Sequence, residues 1–137
     1  MGSLKFLAQS GAHLVTWFET VGWKGWIQGK SQPSCPAEFR ANANDTFVIY
    51  EALKEVSGFY EVIHSKSSDP LQYDGLVVKS KSETKFFLFN FSDEELEIKI
   101  DPVIQVREIK SLLYDTSPDY SEEKLKLRAW ELVIIRC

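Results

Sequence analysis

The stretch His13-Leu14-Val15-Thr16-Trp17-Phe18-Glu19-Thr20-Val21-Gly22-Trp23-Lys24-Gly25-Trp26 decides how the chain is read. An apolar run, His13 to Phe18, stops at Glu19 and gives way to a glycine-punctuated loop carrying Trp23 and Trp26. Leu14, Val15, Trp17 and Phe18 put apolar side chains on both faces of an extended segment, the pattern of a strand buried on two sides in a parallel sheet. A strand that delivers an acid and aromatics into a loop, with a helix after it, is how one βα unit of a (β/α)8 barrel presents its active-site edge. A barrel needs eight such units, and one is legible here. The stretch therefore predicts a closing βα unit without the machinery to do chemistry alone.

Working outward, Ser3 is expected to cap a short helix from Leu4 to Gln9, with Leu4, Phe6, Leu7 and Ala8 as its apolar side and Gly11 as its stop. Beyond Trp26, Gly29, Pro33 and Pro36 extend the loop to about Asn44, a length that marks functional or disordered segments. Asn44 or Asp45 is expected to cap a second helix, in which Phe47, Ile49, Tyr50, Leu53 and Val56 follow the helical period and Gly58 ends it. From Phe59 the period changes to two. Strands are predicted over 59–65, 71–79, 84–91, 96–100, 104–114 and once or twice within 124–136, with Leu76 to Phe91 forming a hairpin. Short strands separated by polar turns such as Lys81-Ser82-Glu83 and Ser92-Asp93-Glu94 make a small antiparallel sandwich the natural architecture. The fold expected is α+β, mainly β. Residues 1–58 are the remnant strand–helix unit of a barrel, and residues 59–137 a C-terminal antiparallel β-sandwich.

Composition excludes several function classes. Of 137 residues, 44% are hydrophobic and 26% charged, which is a globular and not a disordered composition. The net charge is −4, from 16 Lys+Arg against 20 Asp+Glu. No basic run accumulates, so a phosphate-tracking surface for nucleic acid is not expected. The apolar run Phe86-Phe87-Leu88-Phe89 is far too short to span a bilayer, so no membrane partner is expected either. Cys35 and Cys137 lie far apart and read as unpaired thiols of a reducing compartment. With no secretory leader visible in Met1 to Gln9, a cytoplasmic location is expected. His13 and His64 offer no zinc-ligand spacing, and Gly22-Trp23-Lys24-Gly25 fits neither nucleotide loop. No cofactor is expected. Asn44-Asp45-Thr46 and Asn90-Phe91-Ser92 fit the glycosylation triplet and are read as a helix start and a strand end.

Glu19 is the candidate catalytic residue. At the C-terminal end of a buried strand, a carboxylate can serve as acid, base or substrate ligand, against the plainer alternative of a solvated loop glutamate. Trp23 and Trp26, with Thr20, are the candidate substrate contacts, because indole faces stack on the C–H faces of sugars while their N–H groups find polar partners. Core packing explains Trp17 as well or better. His64, Ser65, Ser67, Ser68 and Asp69 contain the residue types of a nucleophilic triad, but a triad draws on separate segments. They read as a strand end and a turn opened by Asp69-Pro70. Phe86, Phe87, Phe89 and Phe91 lack interleaved basic residues and read as sandwich core, not as a base-stacking platform.

Taken together these residues resemble the C-terminal part of the D-apionate lactonase family, which pairs a glycosidase-like barrel with a C-terminal β-sandwich. The resemblance rests on Gly2 to Ala8 leading to Val15-Thr16-Trp17-Phe18-Glu19-Thr20-Val21-Gly22-Trp23-Lys24-Gly25, on Ser65 to Leu76, and on Phe87-Leu88-Phe89-Asn90-Phe91-Ser92-Asp93. The chain departs from the family at Arg128-Ala129-Trp130-Glu131, where a proline-containing approach to the last strand would be expected. The resemblance implies a parent enzyme that opens a sugar-acid lactone by water attack, with Glu19 and Thr20 at the rim of its pocket. Relatives with paired carboxylates place them on strands that have no counterpart here, and one acid cannot supply paired-acid chemistry. The function expected is that of a non-catalytic C-terminal part of a lactonase-like or glycosidase-like hydrolase, meeting a sugar or sugar-acid ligand within the parent. Its uncovered apolar surface is expected to drive self-association. The alternative is a stand-alone carbohydrate-binding or interaction module with Trp23 and Trp26 as its platform.

Overall fold

The period-two alternation that begins at Phe59 becomes two antiparallel sheets. The computed structural model describes residues 2–13, 15–16, 19–22, 25–31, 41–100 and 104–137. Its elements are α1 (Gly2–Gln9), α2 (Val48–Val56), β1 (Glu61–Ile63), β2 (Tyr73–Lys79), β3 (Thr84–Asn90), β4 (Leu96–Lys99), β5 (Glu108–Ser111), β6 (Tyr120–Ser121), β7 (Lys124–Leu127) and β8 (Leu132–Arg136). One sheet has the order β1-β2-β3-β8-β5 and the other β4-β7-β6. The fold is mainly β with two short helices, and the expected hairpin is present, with Leu76 opposite Phe87 and Lys79 opposite Thr84.

The register decides which side chains share a face. Phe86 pairs with Ile135 and Leu88 with Val133, while Ile109 of β5 also faces Ile135. These residues meet Ile98, Ile100, Leu125 and Leu127 from the smaller sheet in one apolar core. Two sheets sharing a core in this way are a sandwich. Each such Leu or Ile contributes about 1.5–3 kcal/mol by leaving water. On the opposite face of the larger sheet, Leu76, Val78, Phe87, Phe89 and Ile134 are buried as well. β2 is therefore buried on both sides along most of its length. Gly75 makes room for its neighbour, since a Cβ there would lie 2.8 Å from Leu88 Cδ2.

Helix α1 departs from its expected orientation. It starts at Gly2, so Ser3 lies inside the helix and does not cap it. The expected apolar side is turned outward: Phe6 is 61% exposed and Leu7 39%, whereas Lys5 is 3% exposed. Lys5 Nζ donates to Asp74 Oδ1, and Gly75 N–H donates to the same oxygen at 2.8 Å. A buried cation needs a buried anion, and this pairing outweighs the apolar preference of Phe6 and Leu7. Met1–Ala12 accordingly forms one compact unit with Gly58–Cys137, and His13–Ser57 forms a second. The division expected at residue 58 therefore places α1 on the wrong side.

The approach to β8 is held by ion pairing where a proline was expected. Arg128 donates to Glu131 at 2.5 Å and to Thr116 at 2.9 Å, and its guanidinium lies 3.9 Å from the Tyr114 ring centroid. Glu131 is fully buried. Burial pushes its carboxyl upward, but hydrogen bonds from Arg128 and Ser111 outweigh that and hold it below the ordinary value. Asn90 Nδ2 donates to the Arg128 carbonyl at 2.9 Å, tying β3 to the same turn. Trp130 sits there at φ +57, 61% exposed.

In the second unit, Phe47 precedes α2 in extended conformation with no side-chain cap. Asp45 is committed elsewhere, since its Oδ2 accepts from Asn42 N–H at 2.7 Å and its carbonyl from Gln28 N–H at 2.8 Å. Gly58, at φ +89, follows the end of α2 as expected. Of the predicted strand from His13 to Phe18, residues 14, 17 and 18 lie outside the described residues, and His13, Val15 and Thr16 belong to no strand. No helix among the described residues is long and apolar enough to cross a membrane.

Two outcomes are expected. Lys5→Ala and Asp74→Ala should each lower stability by about 3–5 kcal/mol, because each leaves the opposite charge buried alone, while Lys5→Met with Asp74→Leu should recover most of the loss. Urea denaturation of the four proteins measures the coupling. Glu131→Gln should destabilise near pH 7, and the difference from the parent should shrink on acidification. A carboxyl depressed by folding stabilises above its ordinary value of 4.5 and loses that contribution as pH falls through the folded value. Thermal unfolding at pH 7 and pH 3 reads this out.

Candidate functional site: the Glu19 loop and two clefts

The loop after the quoted stretch is closed by its own backbone. Gly22 N–H donates to the Ile27 carbonyl at 2.7 Å and Gly25 N–H to the Gly22 carbonyl at 2.9 Å. Trp26 and Ile27 N–H groups both reach the Thr20 carbonyl, at 3.0 and 3.2 Å. Two glycines make this possible. Gly22 has φ +136, and a Cβ on it would fall 1.7 Å from Glu19 Oε1. A Cβ on Gly25 would meet the Thr20 carbonyl carbon at 2.8 Å and oxygen at 2.9 Å. The spacing Gly22-x-x-Gly25 is thus a steric requirement of a loop that seats the Glu19 carboxylate over Gly22.

Glu19 is half-buried, Thr20 exposed and Trp26 half-buried. Trp23 lies outside the described residues. Glu19 and Thr20 share the closed loop, with Thr20 contributing its backbone carbonyl to the closure. Trp26 lines a cleft of about 350 Å³ with Tyr50, Leu53, Lys54 and Ser57. The Phe47 N–H donates to the Trp26 carbonyl at 2.9 Å, tying the loop to the start of α2. An indole beside a phenol, a lysine and a serine can stack on an apolar face and meet hydroxyl groups. Among the described residues no cluster of His, Cys, Asp or Glu could hold a metal ion.

A second cleft, of about 400 Å³, lies in the larger unit and was not singled out from the sequence. Its lining includes Lys5, Phe6 and Gln9 of α1, His64 to Ser67 of the strand end, and Asp74 of β2. The His64-Ser65-Ser67-Asp69 group does not form a triad. Ser65 Oγ donates to the Gly75 carbonyl, Ser67 Oγ accepts from Asp69 N–H at 3.0 Å, and Asp69 Oδ2 accepts from Gln72 Nε2 at 2.9 Å. The Ser67 and Asp69 bonds are turn interactions, as expected, whereas Ser65 reaches across to β2. Asp74 Oδ2, however, is buried without a hydrogen-bond partner among the described residues. A buried acceptor left unfilled costs about 1–3 kcal/mol. The sequence signal for this cleft was Lys5, the one charged residue of α1, which becomes meaningful once Asp74 is known to face it.

No family model matches the chain, and no curated protein matches it. Among solved structures, a MutB variant from crystals soaked with trehalulose is similar with a TM-score of 0.47 and 18% identity, over 65% of this chain and 16% of that one. The trehalose-6-phosphate hydrolase of Bacillus licheniformis gives a TM-score of 0.44 and 18% identity, over 65% of this chain and 17% of the hydrolase. The trehalulose synthase MutB of Pseudomonas mesoacidophila gives 0.43 and 18%, over 52% of this chain and 13% of the synthase. The chain thus corresponds to less than a fifth of the length of each of these carbohydrate enzymes.

Because Gly25 packs on backbone atoms that cannot yield, Gly25→Ala should open the Thr20–Ile27 loop. The expected result is a changed Trp fluorescence spectrum with the β-sheet circular dichroism retained. An unchanged spectrum would contradict the steric account.

Proposed function

We propose that this chain serves as the closing and bracing part of a larger carbohydrate-active hydrolase, lactonase-like in acting on a sugar-acid lactone. The observation that carries this reading is the thin interior of His13–Ser57. Among its described residues Gly25, Gln28 and Ala52 alone are buried, while Ile27, Phe47, Ile49, Tyr50, Leu53 and Val56 are half-buried and Val21 is 57% exposed. The described residues of this segment thus carry many apolar side chains with little burial among them, which is less than an independent domain core needs. An enclosing set of βα units would supply the missing cover, as the outer helices and inner strands of a barrel cover one another. The lactone substrate class is supported by the family resemblance of the stretches around Glu19, Ser65 to Leu76 and Phe87 to Asp93.

In this reading Glu19 is a rim acid of the parent's pocket, and Thr20, Trp23 and Trp26 are its substrate contacts. Glu19 by itself does not make a hydrolase, because ring opening and glycoside cleavage both require a positioned partner to activate water. The parent works in the cytoplasm. Without the enclosing units the apolar residues of 13–57 cover one another by self-association. The Trp26–Tyr50 cleft favours a second reading, a stand-alone sugar-binding module, since an aromatic pair beside polar groups can hold a sugar without catalysis.

One set of measurements separates these readings. The proposed chain releases no acid from sugar-acid lactones above the buffer rate in a pH-stat, and light scattering at micromolar concentration shows a dimer or larger. Lactone turnover removed by Glu19→Gln would overturn the reading. A clean monomer whose tryptophan fluorescence responds to sugars, with the response lost in Trp26→Ala, would establish the binding module instead.

A further inference from the structure

We propose that the Arg128–Glu131 turn presents Trp130 as a binding platform for a neutral oligosaccharide. The inference rests on the reading of a carbohydrate-active parent, but it uses the larger unit alone and no property of the Glu19 loop. Glu131 N–H donates to the Arg128 carbonyl at 3.2 Å, so Trp130 stands third in a hydrogen-bonded turn. Its φ of +57 there is one that glycine or asparagine ordinarily supplies. Among the described residues, the other non-glycine positions at positive φ are the polar Asn44, Glu122 and Glu123. A bulky aromatic in this conformation is strained, and such strain persists only where the surroundings over-determine it. They do so here. Trp130 N–H donates to the Ser92 carbonyl at 3.0 Å, and the Tyr114 hydroxyl donates to the Ala129 carbonyl at 3.1 Å. Asn90 Nδ2 donates to the Arg128 carbonyl at 2.9 Å. The turn thus fixes a strained tryptophan while leaving it 61% exposed, so neither backbone preference nor burial accounts for the residue.

The surroundings select the ligand. Trp130, with the exposed side chains of Leu113 and Tyr114 on the adjoining loop, offers roughly 200–300 Å² of apolar surface. A stable protein interface takes about 800 Å² from each partner, whereas one or two sugar rings need no more than this. The Arg128 guanidinium lies 3.9 Å from the Tyr114 ring centroid, so Trp130 is the open ring and no aromatic cage for a cation forms around it. The loops bonded to the turn carry Asp93, Glu94, Glu95 and Asp115, all exposed, and residues 91–97 and 111–119 contain no lysine or arginine. Arg128 itself is committed to Glu131 and Thr116. Carboxylates at the rim accept charge-assisted hydrogen bonds from sugar hydroxyls and repel an anionic ligand. A flat apolar face with an acceptor rim and no free cationic donor selects a neutral, hydroxylated chain over a uronate.

The test is a titration of the ¹⁵N-labelled chain, followed at the Trp130 indole N–H and the amides of Ser92, Tyr114 and Ala129. The probes are cellohexaose and maltohexaose, with hexagalacturonate as the anionic control and tetramethylammonium as the cationic one. At least one neutral hexasaccharide should bind with a dissociation constant of about 1–10 mM, and both controls at least about tenfold more weakly. Trp130→Ala should remove binding, whereas Trp130→Tyr, which keeps a flat ring, should retain it within about fivefold. Trp130→Gly should also remove binding, yet melt above the parent or within about 4 °C of it, because it relieves the positive φ. Trp26→Ala and Glu19→Gln should leave binding unchanged, which separates failure of this site from failure of the Trp26 cleft or of the lactonase reading. No shift up to about 20 mM of either hexasaccharide, or equal binding of a control, would overturn the proposal. So would binding retained in Trp130→Ala, binding lost in Trp130→Tyr or Trp26→Ala, or a larger fall in the melting temperature of Trp130→Gly.

Discussion

The contact between the Lys5 ammonium and the Asp74 carboxylate, both out of water, fixes where the first helix lies. Removing one partner strands a charge in the interior, so α1 is free to lie on the sheet only in the orientation that keeps Lys5 over β2. The consequences run outward. Phe6 and Leu7 turn to the surface, Gln9 reaches Ser65 at 3.3 Å, and the wall of a cleft forms between the helix and the 63–70 segment. Asp74 also fixes the backbone beside it through Gly75 N–H, where the Leu88 side chain of β3 occupies the space a Cβ would need. One interaction therefore links the helix, the hairpin and the cleft.

The two units are built on different economies of burial. The sandwich encloses its core between two sheets and also buries the outer face of the larger sheet, with Phe87, Leu125, Leu127 and Val133 fully out of water. The described residues of His13–Ser57 are held chiefly by backbone closure: the loop bonds of Gly22, Gly25, Trp26 and Ile27 and the carbonyl exchange of Gln28 with Asn44 and Asp45. Closure of that kind shapes a loop without supplying the apolar burial that stabilises a domain. This contrast, drawn on the described residues, is the physical basis for the proposal that the second unit belongs to a larger whole.

Much of the strand pattern was legible. Alternation in Thr84 to Asn90 and in Lys124 to Leu127 marks strands with one apolar side or with two, and Gly11 and Gly58 end their helices at positive φ as glycine permits. The helix caps were misread because Asp45 caps Asn42 N–H instead and because α1 already includes Ser3, neither of which local sequence ranks. The Glu19 loop was singled out as a candidate for its residue types. The reason for Gly22 and Gly25, a carboxylate and a carbonyl occupying the space of their absent side chains, needed coordinates. The turn Arg128 to Glu131 looked like a departure from a family pattern, and in the structure half-buried Arg128 holds it by an ion pair with buried Glu131.

Residue order by itself determined the period of most segments after Phe59, hence most of their strands, the hairpin between β2 and β3 and the approximate positions of the two helices. Periodicity is a local property, set by how successive side chains alternate or wind about one backbone. Tertiary structure alone decided that β8 inserts between β3 and β5, that α1 shows its lysine to the sheet, and that Asp74 keeps one oxygen unfilled. Each of these depends on which distant residue a side chain meets, as in the 69-residue separation of Lys5 from Asp74. The burial of a charge is settled only when its partner arrives.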